Sequence, residues 1–251
     1  MLKTKYKILI YNFIKKNFSL LGVDIKYKKN LSFDEIYQKY LRKKPIIIDV
    51  GANEGQSIKR FSSIFNNCII HSFEPINKCF DQMVKDFPGK NYYKNNYALS
   101  NKNTNRKFFI NEQLVTSGFN KINKSYHHIE IKNKIKNTVM VKTIKLDTYL
   151  YLNKIKKVDI LKIDTQGHEL DVLKGSKKSL KKNIINFIEL ELILCDYYTN
   201  KIKLYEIDHI MNKNNYGLID FQGFNYSKKN QIQWFDILYK KNSHQQKLKT
   251  K

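Results

Sequence analysis

The stretch Ile46-Ile47-Ile48-Asp49-Val50-Gly51-Ala52-Asn53-Glu54-Gly55 decides the fold of this 251-residue chain. Its apolar run predicts a buried strand, and the glycines after it predict a turn in which the missing Cβ lets the backbone approach a ligand. A polar helix start follows, and its free N–H groups can bind polar groups of a ligand. We therefore expect a cofactor site near residue 50, formed by Asp49, Gly51, Asn53 and Gly55. A tight turn that binds nothing is the alternative.

The spacing of the glycines narrows the choice of cofactor. Gly51 and Gly55 do not form the G-x-G-x-x-G pattern of dinucleotide-binding proteins, and no Gly-Lys-Ser/Thr follows them as in a P-loop. The pattern therefore argues against NAD and ATP. Asp49 opens a D-x-G-x-N-x-G segment, which resembles the first motif of class I S-adenosylmethionine-dependent methyltransferases. That resemblance implies a loop whose backbone holds the methionine moiety of the cofactor.

A second buried strand is predicted over residues 68–73, and it stops at Glu74-Pro75. In a doubly wound sheet the ligand lies across the carboxyl ends of the strands, where an acidic side chain can accept hydrogen bonds from both ribose hydroxyls. Pro75 has no N–H group and cannot extend a central strand, which fits a strand that ends there. We therefore predict that Glu74 binds the ribose. A surface glutamate without a ligand is the alternative.

A third strand is predicted over residues 92–100, and a polar turn follows it. The adenine is expected near the end of this strand. Asn96 would donate a hydrogen bond to the base edge, and the backbone at Ala98 would line its face.

Residues 158–175 predict a strand, a polar turn and a helix in succession. The apolar residues before Asp164 indicate the strand, and Leu170 and Leu173 form an apolar stripe on the helix. Asp164 lies at the carboxyl end of the strand, so we expect Asp164, His168 and Glu169 to converge on one pocket. A further strand is predicted over residues 184–191.

The segments DVGANEG, FEP, NYALS, LDTYL, DILKIDTQGHELDVLKG and IELEL, in that order, resemble the FkbM family of S-adenosylmethionine-dependent methyltransferases. The match covers about residues 45–240. The resemblance implies an α/β, Rossmann-like class I methyltransferase fold with a seven-stranded, mostly parallel sheet and helices on both faces. It also implies O-methylation of a sugar, glycan or related metabolite. His168 stands where family members vary.

Methyl transfer from a sulfonium requires the protein to position and deprotonate the acceptor. Asp164, His168 or Glu169 could take the proton of a sugar hydroxyl. An alternative is Mg²⁺ held by Asp164, Glu169 and Glu189 or Glu191, which would acidify a diol. For Glu169, interaction with the helix dipole at the N-terminus is the competing interpretation.

The formal net charge of +25 would ordinarily suggest a nucleic-acid partner. Arg42, Arg60 and Arg106 are the only arginines, however, and the chain is also rich in Asn, Ile, Tyr and Phe. These residues have AT-rich codons, and bidentate recognition of phosphate favours arginine over lysine. Nucleic acid is therefore an unfavoured partner, while electrostatic attraction to an anionic acceptor stays open.

Composition and length predict one α/β domain with two flanking segments. We expect a helical extension over residues 1–44, the methyltransferase domain over 45–241 and a basic, disordered tail over 242–251. Residues 1–21 carry lysines within an apolar pattern, which predicts a basic amphipathic helix rather than a membrane span. That helix would dock on the domain or contact an anionic membrane surface peripherally. The three cysteines show no metal or disulfide spacing, which suits the cytoplasm or the inner face of its membrane.

Residues 108–147 have a weak pattern in which strand-like ends flank a polar stretch containing His127-His128. This segment is either an acceptor loop or lid, or loose surface structure. Two other functions stay open: methylation of RNA or another nucleic acid, and cofactor binding without catalysis.

Overall fold

The computed structural model describes residues 31–41, 44–123 and 134–242. The predicted N-terminal helix over residues 1–21, the His127-His128 pair and nearly all of the predicted tail lie outside these ranges. Backbone contacts divide the chain into residues 1–36 and 37–251. The first helix begins with a capping box, in which Ser32 N donates to Glu35 Oε2 at 2.9 Å and Glu35 N donates to Ser32 Oγ at 3.2 Å.

Helices and strands alternate along most of the described chain. The helices are α1 (Phe33–Tyr40), α2 (Gln56–Ile64), α3 (Asn77–Asp86), α4 (Leu146–Leu152), α5 (Glu169–Gly175), α6 (Lys177–Lys181) and α7 (Leu204–Lys213). The strands are β1 (Ile46–Val50), β2 (Ile69–Phe73), β3 (Tyr92–Asn95), β4 (Ala98–Leu99), β5 (Thr104–Asn111), β6 (Ile135–Ile144), β7 (Val158–Ile163), β8 (Ile185–Ile193), β9 (Tyr216–Tyr226) and β10 (Ile232–Lys241).

Seven of the described strands form one sheet in the order β3-β2-β1-β7-β8-β10-β9. Neighbouring strands among β3, β2, β1, β7 and β8 pair in parallel. Strand β10 runs antiparallel to both β8 and β9. Helices link the parallel strands and flank the sheet, as crossover connections require. The predicted Rossmann-like class I methyltransferase fold is confirmed.

The order of the strands reverses beside β1, because β2 lies on one side of it and β7 on the other. Val50, the last residue of β1, is in register with Phe73 of β2 and Ile163 of β7. The segments that follow these three strands therefore meet at one edge of the sheet. A topological switch point of this kind is where doubly wound sheets bind their ligands.

The expected third strand is wrong in its second half. Tyr92–Asn95 pairs with β2 in the large sheet, but Ala98–Leu99 pairs with β6 in a separate three-stranded sheet of order β4-β6-β5. The strand-like ends predicted around residues 108–110 and 139–144 pair antiparallel in this small sheet. Between β3 and α4, the described residues before and after residues 124–133 therefore form this second, smaller sheet.

The main core lies between the large sheet and its helices. Both faces of β1 and β7 are covered, so these strands contain nearly continuous apolar runs. Lys162 is an exception, because it interrupts the apolar run of β7 with a charged side chain that is mostly buried. Within the described residues no helix is both long and apolar enough to cross a bilayer.

Candidate active site

The loop after β1 is built on positive backbone φ angles at Gly51 (84°), Asn53 (49°) and Gly55 (93°). The N–H groups of Gly51 and Ala52 both donate to the carbonyl of Phe73 at 3.0 Å, which ties the loop to the end of β2. A Cβ at Gly51 would lie 1.8 Å from the carbonyl oxygen of Asp164. Only glycine therefore allows the loops after β1 and β7 to approach this closely.

Glu74 lies where the sequence places it, directly after β2, and it is buried. Its Oε2 accepts a hydrogen bond from Asn53 N at 2.9 Å, and its Oε1 accepts one from Ile76 N at 2.8 Å. Burial raises the pKa of this carboxyl to about 7 despite both hydrogen bonds. Each carboxyl oxygen still has a lone pair that a ligand hydroxyl could use.

A cavity of about 600 Å³ opens at the switch point, a size typical of cofactor sites. Its floor is formed by the segments after β1, β2 and β7. Phe108 of the small sheet and Leu114, in the 3-10 turn after β5, line a wall. The residues that line the cavity include Gly51, Asn53, Glu74, Ala98, Lys162, Asp164, Gln166, Glu191, Tyr197 and Trp234.

Asp164 lines the cavity at the end of β7, and both of its carboxylate oxygens have protein partners. Gln166 Nε2 donates to Oδ1 at 3.0 Å, and Lys162 Nζ lies 3.3 Å from Oδ2. The same ammonium lies 3.9 Å from Oδ1 of Asp49, which is fully buried. These two carboxylates keep the pKa of Lys162 above its usual value even though burial alone would lower it.

Gln166 joins Asp164 to a second carboxylate on the cavity wall. Its Nε2 also donates to Glu191 Oε2 at 3.0 Å, and its Oε1 accepts a hydrogen bond from Tyr198 OH at 2.9 Å. The backbone of Gln166 has φ 56°, an uncommon conformation for a residue with a side chain. The turn after β7 therefore holds the amide in a defined orientation between the two acids.

Glu169 and His168 do not join Asp164 on the cavity wall. Glu169 is buried, and its Oε1 accepts hydrogen bonds from Thr165 N at 2.9 Å and Gly167 N at 3.1 Å, so it holds the turn after β7. Burial raises the pKa of Glu169 to about 7. Glu169 therefore binds the turn at the start of α5, and it does not converge with Asp164 on the cavity as predicted.

His168 lies in a separate buried cluster. Its Nε2 is 3.0 Å from Ser100 Oγ, and its Nδ1 is 3.3 Å from Asp171 Oδ2. The ring of Phe119 lies 4.3 Å away between centroids, and Arg106 pairs with Asp171 at 3.1 Å. Burial lowers the pKa of His168 to about 4. The cluster links the small sheet to α5, and His168 does not line the cavity.

The residues of the magnesium hypothesis are not arranged around one point. Glu189 forms a bidentate ion pair with Arg60, at 2.6 and 3.1 Å, and accepts a hydrogen bond from Tyr37 OH at 2.6 Å. Glu169 points to its own turn. In the parts of the chain that the structure describes, no three acidic, histidine or cysteine side chains are grouped to hold a metal. This donor set therefore does not fit Mg²⁺.

The predicted cofactor residues divide into two groups. Gly51, Asn53, Glu74 and Ala98 line the cavity, whereas Asp49, buried in β1, and Gly55, at the end of the loop, do not. Asn96 donates to the carbonyl of Glu74 at 3.2 Å and does not line the cavity.

Sequence reasoning missed Lys162 and Gln166 and considered Glu191 only as a metal ligand. A lysine within the mostly apolar strand β7 was the available indication for Lys162, because a buried lysine needs a partner. Trp234 was also missed, since β10 lies far from the other site residues in the chain.

A family model described as the methyltransferase FkbM domain matches residues 49–218. The hexuronic acid methyltransferase AglP of Haloferax volcanii is 26% identical over 150 residues, which are 59% of this chain and 55% of that protein. The chain thus spans about half the length of the curated relative that it matches.

Two solved structures illustrate the likeness of fold. A putative rRNA methylase from Clostridium thermocellum superposes with a TM-score of 0.49 at 7% identity. The superposition covers 87% of this chain and 99% of the methylase. The magnesium protoporphyrin IX methyltransferase of Synechocystis, with bound S-adenosylmethionine, has a TM-score of 0.45 at 8% identity and covers 94% and 97% of the two chains.

Proposed function

The chain belongs to the FkbM family of S-adenosylmethionine-dependent methyltransferases, and from that membership we propose that it transfers the methyl group of this cofactor to a hydroxyl oxygen of a carbohydrate. The observation that carries the proposal is the cavity at the switch point, which is lined by a glycine loop, by the buried acid Glu74 and by the carboxylates of Asp164 and Glu191. The proposed acceptor is a sugar, a glycan or a glycan precursor.

The proposed cofactor position uses the floor of the cavity. The backbone at Gly51 and Asn53 would hold the methionine moiety, Glu74 would accept hydrogen bonds from the ribose hydroxyls, and the backbone at Ala98 would lie beside the adenine. When bound, the cofactor supplies a methyl carbon that its sulfonium already activates for in-line displacement. The protein then has to orient the acceptor hydroxyl and remove its proton.

The proposed acceptor position lies beyond Asp164, between Gln166 and the aromatic side chains of Tyr197 and Trp234. Aromatic side chains with polar tips suit a sugar, since the ring covers its C–H groups while hydroxyls and carboxylates bind its O–H groups. The name of the Haloferax relative supports a carbohydrate acceptor. Asp164, held by Lys162 and Gln166, would orient the sugar by accepting a hydrogen bond from a hydroxyl next to the one that is methylated.

The proposed location is the cytoplasm, with peripheral contact at the inner face of the membrane. Cys68, Cys79 and Cys195 are all free thiols, a pattern that suits a reducing compartment. The basic N-terminal segment would provide the membrane contact. Methylation of nucleic acid is the less favoured alternative, because bidentate recognition of phosphate draws on arginine and the chain has only Arg42, Arg60 and Arg106.

The test begins with isothermal titration of the purified protein with S-adenosylmethionine, S-adenosylhomocysteine and NAD. We expect micromolar binding of the first two and none of NAD. Transfer of a radiolabelled methyl group to methyl glucopyranoside, methyl glucuronide and RNA would then compare acceptor classes. Labelled sugar supports the proposal. Folded protein that binds neither S-adenosylmethionine nor S-adenosylhomocysteine, or that labels RNA alone, contradicts the proposal.

A further inference from the structure

Three carboxylates line the cavity, and their partners differ. Both oxygens of Glu74 accept backbone hydrogen bonds on the ribose side. Both oxygens of Asp164 are held, one by Gln166 and one by Lys162. Glu191 has one held oxygen, Oε2, which accepts from Gln166 at 3.0 Å. Among the residues that the structure describes, Glu191 Oε1 has no hydrogen-bond partner.

From this difference we propose that Glu191 is the catalytic base of methyl transfer, and that Gln166 and Asp164 position it and the acceptor. The inference rests on the proposed function and deepens it. A general base must present a free lone pair to the hydroxyl that it deprotonates, and a carboxylate oxygen already bound to an ammonium is a weaker acceptor. Asp164 therefore suits orientation, whereas Glu191 suits proton removal.

The surroundings of Glu191 also suit a base that works near neutral pH. Asp236 is in register with Glu191 on β10, and Asp164 follows β7. The charges of Glu169, at the start of α5, and of Lys162 also act on Glu191. Burial, followed by the repulsion of Asp164, Asp236 and Glu169, raises the pKa of Glu191 to about 8. A base with a pKa close to the working pH both accepts the proton readily and returns it to solvent.

The chemical step balances with these groups alone. A lone pair of the acceptor oxygen forms a bond to the methyl carbon while the carbon–sulfur bond breaks, and the sulfonium becomes the neutral thioether of S-adenosylhomocysteine. The O–H proton moves to Glu191 Oε1. Glu191 releases that proton to solvent after the products leave.

The test compares Glu191→Gln, Asp164→Asn and, as a control with the same chemical change, the exposed Glu112→Gln. The probe acceptor is methyl glucopyranoside or methyl glucuronide, whichever wild-type protein labels. Wild-type kcat should rise with pH through the pKa of the base and level off above about pH 9. Glu191→Gln should lower kcat by about 10²–10⁴-fold and remove that rise. Asp164→Asn should lower kcat but keep the rise, and Glu112→Gln should match wild type.

A second measurement needs no acceptor. Infrared difference spectra of the cofactor-bound protein should show one protonated carboxyl fewer at pH 7 in Glu191→Gln than in wild type. The affinity for S-adenosylhomocysteine should stay within about twofold, since Glu191 lies on the acceptor side. An unchanged pH profile in Glu191→Gln, or an unchanged carboxyl spectrum, would overturn the inference. Wild-type protein that binds no cofactor would instead overturn the proposed function.

Discussion

Glu74 holds the loop after β1, and in the proposed function it also binds the ribose. It accepts hydrogen bonds from the N–H groups of Asn53 and Ile76, so it fixes the loop after β1 against the end of β2. The same carboxylate faces the cavity with its remaining lone pairs. A hydrogen bond from a ligand hydroxyl to such a group contributes about 1.5–3 kcal/mol.

We expect Glu74→Ala to weaken S-adenosylmethionine binding by about 10–100-fold, because the ribose hydroxyls lose their acceptor. Glu74→Gln keeps an acceptor oxygen and should lose less. Isothermal titration of both variants with S-adenosylhomocysteine measures the effect, with circular dichroism as the control for folding. Equal affinity in Glu74→Ala and wild type would disprove the ribose assignment.

His71 provides a pH dependence that belongs to stability and not to the site. The ring is buried on β2, stacks on Tyr93 with centroids 4.5 Å apart, and pairs through Nδ1 with Tyr149 OH at 2.7 Å. Burial lowers its pKa from 6.5 to about 4. The unfolded chain therefore takes up a proton at a higher pH than the folded chain does, and stability falls as pH falls from 6.5 towards 4.

This shift corresponds to about 3 kcal/mol lost across that window. Other buried groups titrate as well, so the contribution of His71 is the difference between wild type and His71→Phe. We expect wild type to lose about 3 kcal/mol more than the variant between pH 7.5 and pH 4, measured by urea unfolding. Parallel pH profiles would show that folding does not lower the pKa of His71.

At the scale of elements, the three segments after β1, β2 and β7 behave as one unit. Backbone hydrogen bonds link Gly51 and Ala52 to the end of β2, and Asp164 N donates to the carbonyl of Val50 at 2.9 Å. The site is therefore as rigid as the sheet that holds it. The geometry of the site depends on the close approach of the backbone at Gly51 to the backbone at Asp164, which a side chain at Gly51 would prevent.

We expect Gly51→Ala to destabilise the protein by about 2–4 kcal/mol, through the positive φ and the clash with the carbonyl of Asp164. Gly118→Ala is the matched control, since its new Cβ would meet no atom closer than 3.4 Å. Urea unfolding of both variants measures the difference. If the two variants lose equal stability, the loops after β1 and β7 are not as close as described.

The small sheet was the element least predictable from sequence. Asn96 and Tyr97 separate two short strands, and local propensity does not distinguish one strand of nine residues from two strands in different sheets. The pairing of Ala98–Leu99 with β6 depends on a partner about 45 residues away in the chain. Among the described residues of this segment, Ala98, Phe108 and Leu114 line the cavity.

At the scale of the whole molecule, the net charge of +25 does not come from the residues that line the described cavity. The two cations on the described cavity wall, Arg60 and Lys162, are paired with carboxylates. The excess of lysine therefore does not make the described wall cationic. Surface charge acts over about a Debye length and is screened by salt, whereas buried pairs are screened much less.

We expect the affinity for S-adenosylhomocysteine to change by no more than about twofold between 50 and 200 mM salt. RNA binding measured by fluorescence anisotropy should fall by about 10-fold or more over the same range, because released counterions drive it. Salt-resistant RNA binding would revive the nucleic-acid alternative. The same titrations with a double-stranded DNA control separate RNA recognition from general attraction.

The sequence by itself determined the fold class, the glycine loop at residues 51–55 and the cavity position of Glu74 and Asp164. These features follow from local patterns, since an apolar run, a glycine turn and an acid at a strand end are each contiguous in the chain. Tertiary structure alone decided that Glu169 and His168 turn away from the cavity and that Gln166 joins Asp164 to Glu191. Those contacts depend on side-chain direction and on strands distant in sequence, which spacing along the chain does not specify.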